Sequence, residues 1–212
     1  KRHSLPNLKE PLARDMGVEG EGPVLVIDGE AMTESVFIAQ YLDESGAGHL
    51  QPKDAYAHWQ MLMWCRRITE RCAPAAAFLG CQAYVKIEAV PPAIASEDLR
   101  ERWGQIPAGD YPEAAVADSR VKVADAARLV EEQLADGRDW LMGELSIADF
   151  ETYGWLAGMV QLLPDAFADT PKLDKWLARV AARPSVARAL ALATIPDPRI
   201  AWAPGQEINR WG

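Results

Sequence analysis

Residues 22–44 read GPVLVIDGEAMTESVFIAQYLDE, and this stretch decides the fold. The apolar, largely β-branched run from Val24 to Ile27 predicts a strand, and Asp28-Gly29 is a pair favoured in two-residue hairpin turns. Thr33 stands where a helix N-cap is expected. We therefore expect a strand, a tight turn, a second short strand and a helix running from Thr33 to Asp43.

The junction between the second strand and the helix carries chemistry as well as structure. A helix N-terminus presents unpaired backbone N–H groups and a partial positive charge. Glu34 adds an acceptor for an ammonium group, and Ser35 adds a donor for a carboxylate. This combination suits an α-amino acid as the ligand.

Four short patterns in this stretch resemble the glutathione-binding half of a glutathione transferase: Pro-Val-Leu-Val, the Asp-Gly turn, Thr-Glu-Ser and Ile-x-x-Tyr-Leu. The resemblance implies a thioredoxin-like α/β domain in which Pro23 follows a cis peptide bond. It also implies that the backbone of Gly22 pairs with the cysteinyl part of glutathione, while Glu34 and Ser35 hold the γ-glutamyl amino acid group. Gly22 departs from the family, which usually has a bulkier residue there. A plain hairpin followed by a helix is the alternative interpretation.

A complete thioredoxin-like domain has a strand, a helix and another strand before this point, so we expect roughly 30–40 further residues to precede Lys1. The family's thiol-activating Ser, Tyr or Cys would lie there, and the catalytic residue is therefore unknown from the sequence. The predicted domains are an incomplete thioredoxin-like, glutathione-binding domain at residues 1–46 and an all-helical bundle at residues 47–212. The glycine-rich run from Glu44 to Pro52 is the predicted linker.

The amino-acid composition excludes some kinds of binding partner. The net charge of −9 argues against a nucleic acid, because phosphate binding needs clustered Lys and Arg. Neither a signal peptide nor a membrane-spanning run is recognisable, so cytoplasmic residence is expected. Cys65, Cys72 and Cys81 lack metal-ligand spacing and are interpreted as reduced core cysteines, and no metal is expected.

The second half of the chain is predicted to be helical. Apolar residues at helical spacing predict a long helix from Ala55 to Cys81, kinked at Pro74. In glutathione transferases the corresponding helix lines the site and contributes to a homodimer interface. The resemblance thus makes Trp64 and Arg67 candidates for the second-substrate pocket. The alternative is that Trp64 belongs to the core and that Arg67 and its charged neighbours are solvated or paired along the helix.

Residues 84–111 contain three prolines and are predicted to be an irregular excursion that could cover a site. Further helices are predicted at 114–135, 147–162, 172–182 and 186–192, with Thr170 as an N-cap before Pro171. Ser146 and Asp149 have capping-box spacing. A catalytic carboxylate is the other interpretation of Asp149, but Gly-x-x-Ser-x-Ala-Asp is also characteristic of the transferase C-terminal domain, so we assign both residues to structural capping.

The resemblance implies an enzyme that binds glutathione as a co-substrate and adds its thiolate to a hydrophobic electrophile, with aryl-ether cleavage or dehalogenation as candidate reactions. The resemblance extends to bacterial members such as those resembling lignin β-ether-cleaving enzymes, in which the region corresponding to residues 84–111 is also extended. Two alternatives remain: a glutathione-dependent isomerase or thiol reductase, and a non-catalytic interaction module on the same scaffold.

Overall fold

A computed structural model of the chain describes residues 22–46, 48–90 and 97–204. These residues divide into two units, one formed by the residues up to 48 together with 86–111, the other by 49–85 and the residues from 112 onward. The excursion around residues 84–111 therefore lies mostly in the first unit. The predicted domain boundary between residues 46 and 47 stays a prediction.

The secondary structure consists of a short hairpin followed almost entirely by helices. In chain order the elements are β1 (Leu25–Ile27), β2 (Glu30–Met32), α1 (Ser35–Ser45), α2 (Ala55–Arg67), a π-helical segment (Ile68–Cys72), α3 (Ala73–Tyr84), α4 (Glu97–Ala108), α5 (Glu113–Gln133), α6 (Ile147–Leu156), α7 (Met159–Leu162), α8 (Pro164–Phe167), α9 (Pro171–Ala181), α10 (Pro184–Ala191) and a 3-10 turn (Pro198–Ile200).

The predicted hairpin is present in the first unit. β1 and β2 pair antiparallel, with Leu25 opposite Met32, and are joined by two residues. Those two residues, Asp28 and Gly29, have φ angles of 52° and 90°, as a type I′ turn requires. The turn therefore fixes which residues face each other along both strands.

The helix after the hairpin starts later than predicted. Its N-cap position is Glu34, not Thr33, and α1 runs from Ser35 to Ser45. The physical reason is the backbone of Glu34, whose φ of 68° is incompatible with a helical residue. The helix therefore cannot begin before Ser35.

The predicted long helix is present but differently interrupted. A π-helical segment of five residues separates α2 from α3, and the Ala73 N–H donates to the Ile68 carbonyl, five residues back. Pro74 follows directly and has no N–H to give to an α-helical ladder. The irregularity thus lies in the turn before Pro74 rather than at the proline itself, and the helix continues to Tyr84.

The core of the second unit surrounds α3, whose residues are buried on nearly every side. The predicted core cysteines are confirmed, since all three are buried and free. Fully burying a large apolar side chain contributes roughly 1.5–3 kcal/mol. The largest fully buried side chains are Met61, Ile68, Leu79, Val123, Val130, Leu141, Ile147, Leu156, Met159, Leu173 and Trp176.

One predicted helix of the second unit is wrong, and one predicted N-cap is right in its position but not in its hydrogen bond. The helix predicted over 147–162 is broken into α6 and α7 at Gly158, where an added Cβ would collide with the Arg199 carbonyl and lie 2.9 Å from Trp202. Thr170 occupies the N-cap position of α9 without capping it, because its hydroxyl donates to the Phe167 carbonyl at 2.9 Å.

Candidate functional site

The hairpin brings the four predicted ligand residues to one end of the first unit. Leu25 faces Met32 in the register of β1 and β2. Pro23 and Gly22 lie two and three residues before Leu25, and Glu34 and Ser35 lie two and three residues after Met32. The peptide bond between Gly22 and Pro23 is cis. The four residues thus lie just beyond the paired strands, at the open end of the hairpin.

Glu34 has an unusual backbone conformation for its residue type. Its φ of 68° lies in the left-handed region, which a non-glycine residue adopts at a cost of roughly 1–3 kcal/mol. Outliers of this kind cluster at ligand-binding sites because the surrounding structure enforces them. Its side chain is exposed, so the carboxylate is accessible from solvent.

The N-terminus of α1 lies next to Glu34. The first intrahelical bond runs from the Ile38 N–H to the Glu34 carbonyl at 2.9 Å. The Glu34 side chain does not itself cap this helix. Its first N–H groups and the positive end of its dipole therefore point toward the open end of the hairpin, where a carboxylate would be stabilised.

A large groove lies in the second unit, with α2 and the following π segment on one side and α5 on the other. Its volume is about 1020 Å³. Trp64 and Arg67, the two residues predicted for the second-substrate pocket, both line it. Trp64 is only 8% exposed, and its Nε1 donates to the buried Thr152 hydroxyl at 2.9 Å. The structure thus brings this predicted pair to one groove, with Trp64 held firmly in its wall.

The groove is rich in cationic side chains. Six of them line it, against two carboxylates. Four of the six are paired by salt bridges: Arg66 with Glu70 at 2.6 Å, Lys122 with Asp118, Arg128 with Glu132 at 2.7 Å and with Asp125 at 3.3 Å, and Arg138 with Asp136 at 2.6 Å. The predicted pairing along the helix is therefore confirmed for Arg66 and Glu70.

Ser146 and Asp149 form the predicted capping arrangement at the start of α6. A capping box is present, and the Asp149 carboxylate accepts a hydrogen bond from the Ser146 N–H at 2.9 Å. Burial raises the pKa of the Asp149 carboxyl, and hydrogen bonds from Leu141, Trp176 and Ser146 act in the opposite direction. Because Asp149 is fully buried and surrounded by donors, it has no access to a substrate.

The three cysteines are poor candidates for thiol chemistry. Burial raises the pKa of Cys65, Cys72 and Cys81 to about 12. A thiol with such a pKa is almost entirely protonated near neutral pH and does not react as a nucleophile. Among residues 22–46, 48–90 and 97–204, no cluster of three or more His, Cys, Asp or Glu side chains could hold a metal ion.

The sequence did not indicate the far wall of the groove. The groove is lined on α5 by Lys122, Asp125 and Leu129, which recur at helical spacing. The periodicity of one helix does not show which other helix packs opposite it. The signal available in the sequence was the local run of arginines on α2 and the π segment.

No helix in the described part of the chain is long and apolar enough to cross a membrane.

The sequence matches the family described as "Glutathione S-transferase, C-terminal domain" over residues 76–184, about half of the chain. Protein LigF from Sphingobium sp. (strain NBRC 103272 / SYK-6) is 27% identical in an alignment 191 positions long, which covers 79% of this chain and 72% of LigF.

Solved structures agree in fold. The crystal structure of beta-etherase LigF from Sphingobium sp. strain SYK-6 superposes with a TM-score of 0.75 at 22% identity, covering 82% of this chain and 79% of LigF. Rice GST1, crystallised in complex with glutathione, gives a TM-score of 0.63 at 21% identity, covering 89% of this chain and 76% of the rice protein.

Proposed function

The chain belongs to the glutathione S-transferase family, and from that premise we propose that it is a glutathione transferase, which binds glutathione and adds its thiolate to a hydrophobic electrophile. The observation that carries the proposal is the open end of the hairpin, where Glu34 and Ser35 meet the N-terminus of α1. This arrangement offers one anionic group and several N–H and O–H donors within one small region, which matches the zwitterionic end of glutathione.

Each of the four residues has a proposed part in holding glutathione. The carboxylate of Glu34 binds the γ-glutamyl ammonium group, and the Ser35 hydroxyl with the first N–H groups of α1 binds the neighbouring carboxylate. The backbone of Gly22, ahead of the cis-linked Pro23, pairs with the cysteinyl residue. A backbone contact of this kind does not depend on the side chain at position 22.

The proposed reaction is a displacement at carbon. The glutathione thiolate forms a carbon–sulfur bond with the electrophile, and the leaving group departs with the electron pair of the bond that breaks. LigF is described as a beta-etherase, which favours an ether oxygen as the leaving group; halide is the other candidate. The cysteines of this chain take no part, because their pKa is raised to about 12.

Binding of glutathione tests the proposal directly. Glu34→Gln and Ser35→Ala should each raise the dissociation constant for glutathione about tenfold or more, measured by isothermal titration calorimetry, because each removes a charged or charge-assisted hydrogen bond. Glu30→Gln, which changes an exposed carboxylate on β2, is the matched control and should bind as the parent does. A parent protein that neither binds glutathione nor forms a thioether would exclude the function.

The groove lined by Trp64 and Arg67 is our proposal for the pocket of the hydrophobic electrophile. Its wall includes apolar side chains from α2 and α5, among them Met63 and Leu129. Arg67→Gln should raise KM for a model electrophile with little change in kcat, because the residue binds substrate without taking part in bond making. Equal loss of kcat in that variant would contradict this role.

We further propose that the protein acts in the cytoplasm as a homodimer whose interface includes the helix from α2 to α3. Support comes from Tyr56 on α2, which is 65% exposed although aromatic. Sedimentation velocity should show a dimer for the parent and a shift toward monomer for Tyr56→Arg. A monomeric parent would contradict the proposal.

A further inference from the structure

Two of the cations that line the groove in the second unit differ from the other four. Arg67 and Arg71 are exposed and line the groove together. In the part of the chain that the structure describes, neither guanidinium group forms a hydrogen bond or a salt bridge, whereas the other four cations of the groove each have a carboxylate partner. The unbalanced charge of the groove is therefore concentrated on this pair.

The spacing of Arg67 and Arg71 in the sequence brings their two positive charges close together. Arg67 and Arg71 are four residues apart, at the junction of α2 and the π segment, and so lie on the same side of the helix. Like charges at this spacing repel each other. An anion between two guanidinium groups would remove that repulsion and offer each of them a planar, bidentate partner.

The whole chain makes this charge unusual. Its formal net charge is −9, yet the groove has six cationic side chains and two carboxylates in its lining. Such a local reversal of sign attracts anions to the groove rather than to the remaining surface.

An aromatic surface lies in the same groove. Trp59 is 51% exposed and Met63 is 43% exposed, and both line it. Tyr56 stacks on Trp59 with the ring centroids 5.4 Å apart, which holds the indole in place. The exposed faces of Trp59 and Met63 can therefore pack against a flat ring while the arginines bind a charged substituent on it.

We propose that this groove selects aromatic molecules that carry a carboxylate or another anionic group, with Arg67 and Arg71 binding the charge and with Trp59 and Met63 contacting the ring. The inference rests on the proposed function, because it assigns a substrate class to the pocket of the hydrophobic electrophile. Arg67 and Arg71 are then specificity-determining residues for that substrate.

Equilibrium binding tests the site without any turnover. The probes are anilinonaphthalenesulfonate and its uncharged counterpart phenylnaphthylamine, followed by fluorescence in the presence of saturating glutathione. The variant Arg67→Gln/Arg71→Gln should weaken the sulfonate about tenfold or more and leave the neutral probe within about twofold. The control Arg120→Gln/Arg188→Gln removes the same charge from two exposed arginines outside the groove and should bind both probes as the parent does.

Equal binding of the sulfonate by the two double variants would overturn the inference. Loss of sulfonate binding as the protein concentration rises would overturn it too, because the groove would then be closed by a second copy of the chain. Circular dichroism and thermal midpoints of all variants establish that they are folded.

Turnover separates this inference from the proposed function. A chlorodinitrobenzoate and the corresponding neutral benzamide both react with glutathione by forming a carbon–sulfur bond and releasing chloride. We expect kcat/KM to favour the benzoate about tenfold in the parent and to lose that preference in Arg67→Gln/Arg71→Gln. Turnover of both compounds without preference would leave the transferase function standing and overturn the inference. Sulfonate binding without turnover of either compound would support the anion site and count against the transferase function.

Discussion

Four donors converge on the carboxylate of Asp149. One oxygen accepts from the Leu141 N–H at 3.0 Å and the Trp176 Nε1–H at 2.8 Å; the other accepts from the Ser146 N–H at 2.9 Å and the Ser146 hydroxyl at 3.1 Å. Asp149 therefore joins the loop before α6, the start of α6 and the indole of α9. A residue predicted as a helix cap is also the point at which three segments are tied together.

Replacing Asp149 should destabilise the protein more than losing an ordinary helix cap would. Asp149→Ala leaves three buried N–H groups without an acceptor, so we expect a loss on the order of 3–5 kcal/mol in the free energy of unfolding, measured by urea denaturation. Asp149→Asn keeps the shape but turns an NH2 group toward donors, and should cost about 2 kcal/mol.

A loss below about 1 kcal/mol in Asp149→Ala, together with a complete loss of turnover, would instead favour a catalytic carboxylate. Ser146→Ala is the comparison, since it removes the hydroxyl but retains the N–H that donates to Asp149.

At the scale of single residues, the sequence predicted those interactions whose partners lie close together in the chain. The spacing of Ser146 and Asp149 was enough to predict the capping box, because both members lie within one helical turn. The N-terminus of α9 was not predictable in this way. It is capped by Glu131, which lies on α5, about forty residues earlier in the chain. The Glu131 carboxylate accepts hydrogen bonds from the Lys172 N–H at 2.8 Å and from the Leu173 N–H at 2.9 Å.

Among the elements, the interrupted helix from α2 to α3 shows how a π segment is accommodated. Its backbone carbonyls need donors that the regular ladder no longer supplies. The Thr69 hydroxyl donates to the carbonyls of Cys65 and Arg66, each at 3.1 Å. The apolar spacing over this region is that of a continuous helix, so the sequence predicted the helix but not the position of the irregular turn.

The segment after α10 packs against two glycines. A Cβ at Gly80 on α3 would collide with the ring of Trp202, and one at Gly158 would collide with the Arg199 carbonyl. Trp155 lies nearby, with its ring centroid 6.3 Å from that of Trp202. This contact was not predictable from the sequence, because nothing local in the chain shows that two distant glycines form the surface against which Trp202 packs.

Gly80→Ala should displace the segment that contains Trp202 from the surface of α3. We expect a loss of about 1–3 kcal/mol in stability, because the methyl group overpacks the contact with Trp202. Trypsin should also cleave faster after Arg199, which the displaced segment would expose. Gly154→Ala is the control: Gly154 has nothing within 4 Å of an added Cβ, so this helix position should gain up to about 1 kcal/mol. Equal cleavage rates in the two variants would contradict the packing role.

For the molecule as a whole, the predicted family and fold class are confirmed, and the enzyme class follows from membership of the family. Motifs with fixed spacing, such as the hairpin turn and the capping box, carried that prediction. The groove was not predictable, because it depends on α5 lying across from α2 and the π segment. Helix faces can be deduced from periodicity, whereas their partners depend on the whole set of packing contacts.

The buried thiols should make stability depend on alkaline pH. Burial raises the pKa of Cys72 to about 12 from a value of 9.0. The unfolded chain therefore releases this proton at lower pH than the folded one, and the free energy of unfolding should fall as pH rises above 9. One thiol contributes about 1.4 kcal/mol per pH unit in that window.

The measurement is a series of urea denaturations between pH 8 and pH 11 on the parent and on Cys72→Ala, set against the pKa of about 12. The variant is less stable at every pH because of the cavity it creates, but its slope above pH 9 should be shallower by the contribution of one thiol. Identical slopes would mean that Cys72 ionises in the folded protein as it does in the unfolded chain.

The π segment before Pro74 can also be described as an α-helix that holds one additional residue. Its closing bond spans five residues, from Ile68 to Ala73, instead of four. Removing a single residue between them would restore an uninterrupted helix and rotate all of α2 by about 100° relative to α3. Arg67 would then turn by the same angle relative to α3, so the direction in which this side chain faces the groove depends on that one additional residue.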